Sequence, residues 1–336
     1  MVFPPSYLFF LFTLMSGSII SASSSSWFGA WVGLELNLMS FIPLIALKMN
    51  PLYSEASLKY FLIQALGSVM LISSSFLYLS LSFMSSVTIF LALLLKVGGA
   101  PFHWWFPQVM EGLKWPQVLI LSTIQKLAPM VLISYLMSNL IMIKITIMAS
   151  VLSAMVGSLG GLNLTLLRKI IAFSSINHLS WMLIAISMSD IFWLFYFTIY
   201  SLMLTSITMI FNKLKAYSLS TLIQSDQNSM LSTFIISLNF LSLSGLPPLT
   251  GFIPKWILIQ IMVNSNLFIP IFFLLTSALI TLYFYLRIMI SAMIMFNPIL
   301  NFNMKNKSLT SSPSSIVFKS SFNLVGMIMP VYFILI

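Results

Sequence analysis

Apolar runs about twenty residues long follow one another along this chain, separated by short stretches rich in Lys, Ser, Asn, Gly or Pro. A helix rises 1.5 Å per residue, so each run is long enough to cross the ~30 Å hydrocarbon core of a bilayer. Reading the chain in windows of that length predicts about eleven spans, at 3–20, 27–47, 58–80, 86–107, 115–136, 139–161, 169–188, 190–211, 231–263, 267–294 and 320–336. The ninth is too long for one straight helix. It contains Gly245, Pro247, Pro248, Gly251 and Pro254, which predict two half-helices joined by irregular backbone. The fold class is therefore all-α, a polytopic membrane protein with discontinuous helices.

Assigning the connections alternately to two sides places Lys48, Lys59, Lys114, Arg168, Lys169, Lys213, Lys215, Lys305, Lys307 and Lys319 on the side of the N-terminus. The other side has essentially none, with Lys144 a borderline case a little way into its span. Cations gather on the cytoplasmic side of membranes or its organelle equivalent, so the N-terminus faces that side and an odd span count puts the C-terminus opposite.

Spans one to five and six to ten can be superposed in order, and because five is odd the second set enters the membrane inverted. The fourth spans carry Lys96 before Gly98, Gly99 and Pro101, and Lys255 after Gly251 and Pro254. The fifth carry Lys126 and Arg287; the second carry Glu35 and His178. This divides the chain into a first five-helix repeat (1–137), a second, inverted repeat (138–295), and a polar connector with a final span (296–336).

Composition sharpens this picture. Of 336 residues, 60% are hydrophobic and 6% charged, with mean hydropathy +1.06, which excludes a water-soluble fold. The formal charge of +10 arises from loop cations that read as topology signals rather than a nucleic-acid surface. With no cysteine there is no disulfide and no thiolate-held iron–sulfur cluster, so any redox centre belongs to another chain. No nucleotide fingerprint, phosphate loop or His-Glu-x-x-His zinc pattern is present. The start, Met-Val-Phe-Pro-Pro-Ser, matches neither a signal peptide nor a transit peptide, and the first apolar segment is expected to be retained.

Against this background the intramembrane charges stand out, because each costs about 2.5–3.5 kcal/mol at a helix centre. Glu35, Lys96, Lys126 and His178 lie about nine to eleven residues into their spans, roughly 13–17 Å deep, and Lys255 reaches similar depth. Such a set points to ion or proton movement. Pro101, Pro129 and Pro254 would free the carbonyls of Val97, Gln125 and Thr250 near the lysines, predicting small hydrated pockets. Proton affinity in such a pocket depends on desolvation and on neighbouring charges. For any one residue the plainer reading is structural: Glu35 in a fixed ion pair with a lysine, or His178 as an interhelical hydrogen-bonder rather than a proton relay. Arg287 reads as a snorkelling anchor, His103 beside Trp104 and Trp105 as an interfacial one, and Glu111 and Lys114 as loop charges. Gly157 and Gly161 match a small-xxx-small packing pattern.

The residues also resemble a known family, the antiporter-like subunits of NADH dehydrogenase (respiratory complex I), and within it the subunit 2 group in its shortened animal form. The resemblance is carried by Trp31-Val-Gly-Leu-Glu35-Leu-Asn, Glu55-Ala-Ser-Leu-Lys-Tyr-Phe61, Lys96-Val-Gly-Gly-Ala-Pro-Phe-His-Trp104 and Gln125-Lys-Leu-Ala-Pro129. It continues in Gly160-Gly-Leu-Asn, Leu167-Arg-Lys-Ile, Ser174-Ser-Ile-Asn-His178, Gly245-Leu-Pro-Pro-Leu-Thr-Gly-Phe-Ile-Pro-Lys-Trp256 and Tyr283-Phe-Tyr-Leu-Arg287, in order over nearly the whole chain. Loop 213–229 and connector 297–319 show no matching motif. The resemblance implies a proton-pumping subunit in the mitochondrial inner membrane, N-terminus in the matrix and C-terminus in the intermembrane space. Its partners would be other membrane-arm subunits and the lipid bilayer, with no nucleic acid. NADH, FMN, iron–sulfur clusters and ubiquinone would be used by the assembled complex and none by this chain. It further implies a buried proton path through Glu35, Lys96, Lys126 and Lys255, to which the depth argument adds His178. Two other readings stay open: a free-standing cation/proton antiporter, and a structural membrane-arm scaffold without a proton path.

Overall fold

A segment in lipid has no water to complete its backbone hydrogen bonds, so it closes them within itself as a helix. The computed structural model describes residues 5–46, 50–77, 82–223, 230–247 and 249–294. The first half of the chain forms α1 (Pro5–Ser23), α2 (Trp27–Ile45), α3 (Pro51–Leu77), α4 (Ser82–Val97), α5 (Trp105–Gly112), α6 (Trp115–Ser122) and α7 (Ile124–Tyr135). The second forms α8 (Leu140–Leu159), α9 (Leu167–Met188), α10 (Asp190–Leu214), the short α11 (Leu219–Ile223), α12 (Met230–Ser244), α13 (Phe252–Asn264) and α14 (Phe268–Ile294). Among the described residues eight helical stretches are long and apolar enough to cross a membrane, counting α6 and α7 together. The remaining two predicted spans up to residue 294 are the interrupted pairs α4/α5 and α12/α13. The predicted eleventh span and the connector before it lie outside the described residues.

Both interruptions are closed in the same way. α4 ends at Val97, and Gly98 turns left-handed at φ +78°; the N–H groups of Gly98 and Gly99 both donate to the Leu94 carbonyl at 3.0 Å. α12 ends at Ser244, and Gly245 turns left-handed at φ +79°; its N–H donates to the Ser242 carbonyl at 3.0 Å, and that of Leu246 to the Leu241 carbonyl at 3.3 Å. Each is a glycine-terminated helix end whose turn satisfies carbonyls of the preceding turn, Leu94 in one and Leu241 and Ser242 in the other. Glycine, not proline, stops these helices. Pro101 lies between α4 and α5, and Pro254 sits in the first turn of α13, where an N–H has no intrahelical partner to lose. The expected release of the Val97 and Thr250 carbonyls by proline is therefore corrected; the Thr250 carbonyl accepts from the Ile253 N–H at 3.3 Å. Pro129 lies inside α7, which runs on through it, and the fifth span breaks earlier, at Thr123.

Without a hydrophobic force between helices in lipid, close packing relies on small residues. At Gly17 an added Cβ would lie 2.9 Å from the Gly33 carbonyl, and at Gly157 it would lie 2.7 Å from the backbone nitrogen of Asn177. These contacts join α1 to α2 and α8 to α9. Gly161, the other half of the expected motif, falls beyond the end of α8 and packs on Phe284 instead. The centre is α9, buried at every residue from Ser174 to Ile186 and packed against α5, α6, α7, α8, α10, α13 and α14.

The connections on the cationic side knit together. Arg168 donates to the Leu113 carbonyl at 2.6 Å and lies 4.7 Å from the Tyr217 ring centre. Lys169 pairs with Glu111 at 2.7 Å, and Glu111 lies in the last turn of α5 rather than in a loop as expected. Trp115 donates to the Ala216 carbonyl at 3.1 Å, and the Leu167 N–H to that of Tyr217 at 3.1 Å. Arg287 donates to the carbonyls of Leu162, at 2.8 Å, and Leu164, so it clamps the α8–α9 connection rather than snorkelling. At the opposite end Tyr135 donates to the Ala22 carbonyl at 2.7 Å, joining the connections after the first and fifth spans. Connections assigned to one side by alternation are thus the ones that touch.

A left-handed turn costs a residue with a Cβ about 1–2 kcal/mol. Gly245→Ala is expected to lower stability by at least that amount, because its new Cβ would also lie 2.9 Å from Lys255 Cδ. Gly98→Ala is expected to cost a similar amount, since its Cβ would lie 3.1 Å from Phe106 Cβ, an atom that cannot turn aside. Thermal denaturation of the purified assembly reads both; unchanged midpoints would contradict these helix ends.

Candidate functional site

The ionisable groups predicted from depth lie on five helices, Glu35 on α2, Lys96 on α4, Lys126 on α7, His178 on α9 and Lys255 on α13. Glu35 on α2 is half-buried, its Oε2 buried without a hydrogen bond. Among the described residues the ion pairs are Lys59–Glu55 and Lys169–Glu111, so Glu35 is in no contact pair with a lysine. Its charge instead acts across a gap on Lys96 and Tyr60.

Lys96 is buried in the last turn of α4, where an ammonium is favoured by the carbonyl end of the helix. Its aliphatic stem lies along Gly67 of α3: a Cβ there would be 3.1 Å from Lys96 Cγ and 3.4 Å from Cε. Gln64, one turn earlier on α3, donates to the Lys96 carbonyl at 3.1 Å, and Trp105 donates to that of Leu95 at 3.0 Å. The end of this half-helix is thereby pinned from two sides.

Between Lys96 and Lys126 runs a crevice bordered by Tyr60, Gln64, Trp105, Phe106 and Gln125. It is too narrow to admit a water molecule, which corrects the expectation of a hydrated pocket here. Tyr60 donates across it to Gln125 Oε1 at 3.3 Å. Lys126, 1% exposed, donates to the Ser175 carbonyl of α9 at 3.1 Å, with its ammonium 4.9 Å from the Phe106 ring centre and 5.9 Å from that of Tyr200. The first half of the chain thus reaches the second through a lysine on a backbone carbonyl.

His178, also on α9, is buried, and its Nδ1 lies 2.9 Å from the Tyr196 hydroxyl of α10. The charges of Lys126 and Lys255 both act on it. Lys255, in the first turn of α13, reaches back over the helix break and donates to the Ser244 carbonyl at 2.8 Å, its ammonium 5.7 Å from the Trp181 ring centre. His103 is set apart, bonded to the Pro101 carbonyl at 3.1 Å and packed on exposed Trp104.

Sequence reasoning missed Tyr60, Gln64, Tyr196 and Tyr200. A signal for them existed: Tyr60/Gln64 and Tyr196/Tyr200 are each spaced i, i+4 within an apolar span, which puts two polar side chains on one helix face. The arrangement can hold, exchange and electrostatically bias protons on buried amines and an imidazole.

Residues 24–86 and 79–281 match the family described as NADH:quinone oxidoreductase/Mrp antiporter, TM. NADH-ubiquinone oxidoreductase chain 2 of Anopheles gambiae is 45% identical over 97% of this chain and 98% of its own. That of Loxodonta africana is 36% identical over 95% of each chain. Among solved structures, a chain of Thermus thermophilus respiratory complex I superposes with a TM-score of 0.85 at 21% identity, over 98% of this chain and 80% of that one. A chain of the Mrp complex from Dietzia sp. gives 0.72 at 15% identity, over 83% and 59%. With identity above a third over almost the full length of its animal relatives, the chain belongs to the NADH-ubiquinone oxidoreductase chain 2 family, within the wider NADH:quinone oxidoreductase/Mrp antiporter transmembrane family.

Proposed function

We propose that this chain translocates protons through its buried Glu35, Lys96, Lys126, His178 and Lys255 as a membrane-arm subunit of NADH:ubiquinone oxidoreductase. It is a translocase subunit without a redox centre of its own; NADH, FMN, iron–sulfur clusters and ubiquinone act in other subunits, which are its partners. The observation that carries the path is the row of buried cationic side chains held on backbone carbonyls and aromatic faces instead of in ion pairs. A scaffold would gain nothing from them, because a buried charge is costly and a fixed pair or an apolar side chain would serve better. A free-standing antiporter is supported by the shared family description and by fold likeness at 15% identity, whereas relatives at 45% and 36% identity are NADH-ubiquinone oxidoreductase chain 2.

On this reading Glu35 biases Lys96, which exchanges protons with Lys126, and Lys126 exchanges through His178 with Lys255. The two halves, 1–137 and 138–295, act as inverted copies, with 296–336 outside the repeat. Support comes from the matched glycine ends at Gly98 and Gly245. It also comes from packing: α1 meets α2 and α7 as α8 meets α9 and α14, and α2 meets α3 as α9 meets α10. The membrane is the mitochondrial inner membrane, with the cation-bearing connections and the N-terminus in the matrix.

Lys96→Ala removes one exchanging amine while leaving the Gln64 bond to the residue 96 carbonyl available. The assembled complex is expected to oxidise NADH with fewer protons pumped per NADH; wild-type stoichiometry in an assembled Lys96→Ala complex would remove Lys96 from the path. For topology, protease added outside mitoplasts should leave the 297–319 connector intact. Cleavage there would place the cationic side outside the matrix.

A further inference from the structure

We propose that Tyr196 is a positioning residue for His178: its hydroxyl accepts the Nδ1–H and leaves Nε2 as the nitrogen that exchanges protons with Lys126 and Lys255. The inference rests on the proton path proposed above and adds to it a residue and a direction of exchange.

A neutral imidazole carries one N–H and one lone pair, and a tyrosine hydroxyl can donate to it or accept from it, so placing the proton on Nδ1 is part of the proposal. His178 Nδ1 is 2.9 Å from the Tyr196 hydroxyl, and both side chains are buried, at 3% and 1% exposure. The bond crosses from α9 to α10, so it does not arise from local backbone geometry. Tyr200, one turn beyond Tyr196 on the same face, sets its ring 4.9 Å from the imidazole and 5.9 Å from the Lys126 ammonium. The imidazole is therefore bracketed by two tyrosines. To present Nδ1 instead of Nε2, the ring would have to break its hydrogen bond and turn past Tyr200. The charges acting on it are those of Lys126 on α7 and Lys255 on α13.

On the proposed path the protons balance at Nε2 alone. A Lys126 ammonium gives a proton to Nε2 and becomes a neutral amine; the imidazolium then gives a proton from Nε2 to a neutral Lys255 amine and returns to its starting tautomer. Nδ1–H stays bonded to Tyr196 throughout. In the imidazolium state that bond is charge-assisted, which strengthens it when the buried cation most needs an acceptor. Without the hydroxyl, Nδ1–H is a buried donor with nothing to receive it, and the ring escapes by taking the other tautomer, with Nε2 no longer basic.

The test reads protons pumped per NADH oxidised by the assembled complex in liposomes, a ratio independent of how much complex is recovered. Tyr196→Phe, His178→Gln and the double variant form a mutant cycle. The ratio is expected to fall about twofold or more in Tyr196→Phe, and the double variant should do no worse than His178→Gln alone, since residues acting through one another are not additive. Additive losses would mean that Tyr196 acts by packing, and a wild-type ratio in Tyr196→Phe beside a lowered one in His178→Gln would show that it does not act at all; either overturns this inference and leaves the path standing. A wild-type ratio in His178→Gln overturns the role of His178 in the path and this inference with it. Should Tyr196→Phe fail to assemble, Tyr196→Gln, whose amide oxygen can accept the same bond, is expected to pump above the His178→Gln ratio; a ratio equal to it would overturn the inference.

Discussion

The bond from the Lys255 ammonium to the Ser244 carbonyl joins two groups that the membrane interior penalises separately. A helix that ends in lipid leaves carbonyls without donors, and an amine in lipid has no water to solvate it. Placed together, each supplies what the other lacks, and the negative end of the helix dipole favours the charged form. Lys126 donates to the Ser175 carbonyl in mid-α9, where the second lone pair of a carbonyl already bonded within the helix receives it. Lys96 stands in the last turn of its half-helix, with Gly67 leaving room for its stem. The consequence is chemical. A carboxylate partner would lock each ammonium in an ion pair, whereas a carbonyl holds it without neutralising it, and the amine stays free to lose its proton to a neighbour.

That constraint also explains where the helices break. α4 and α12 stop within the predicted spans at Gly98 and Gly245, whose left-handed turns lie beside Lys96 at the end of α4 and opposite Lys255 in the first turn of α13. At Gly245 even a methyl group would strike Lys255. The same glycine thus serves the backbone and the site, so the helix end and the lysine cannot be altered independently.

Much of this was legible in the sequence because membrane segments obey few rules. Span length predicted ten elements that the described residues show in order, Gly and Pro marked the ninth as broken, and the depth of Glu35, Lys96, Lys126, His178 and Lys255 singled them out from an otherwise apolar chain. The misses have physical causes. Proline is the most visible helix breaker in a sequence, yet Pro101 and Pro254 fall where no helical hydrogen bond is lost; the stops are Gly98 and Gly245, and only the break at Thr123 carried no signal. Arg287 could not be distinguished from a snorkelling anchor, because its partners are main-chain carbonyls of Leu162 and Leu164, more than a hundred residues away in sequence. Tyr196 and Tyr200 read as ordinary members of an aromatic span; their hydroxyls gain meaning only when α10 packs on α9.

The dry crevice between Lys96 and Lys126 follows from what a pump must avoid. A continuous water file linking buried amines to both faces would let protons run back down the gradient as fast as they were moved. Trp105 and Phe106 close the space, and Tyr60 and Gln125 bridge it with a 3.3 Å hydrogen bond at the long end of the range. An amide side chain has no proton to give readily, so this bridge orders the gap without conducting through it. On the proposed path, exchange between the two lysines therefore needs the Tyr60–Gln125 contact to part and water to enter, and the cost of parting one long bond between neutral groups is small beside that of burying a charge. The structure brings both amines to one crevice and sets the Tyr60–Gln125 contact between them.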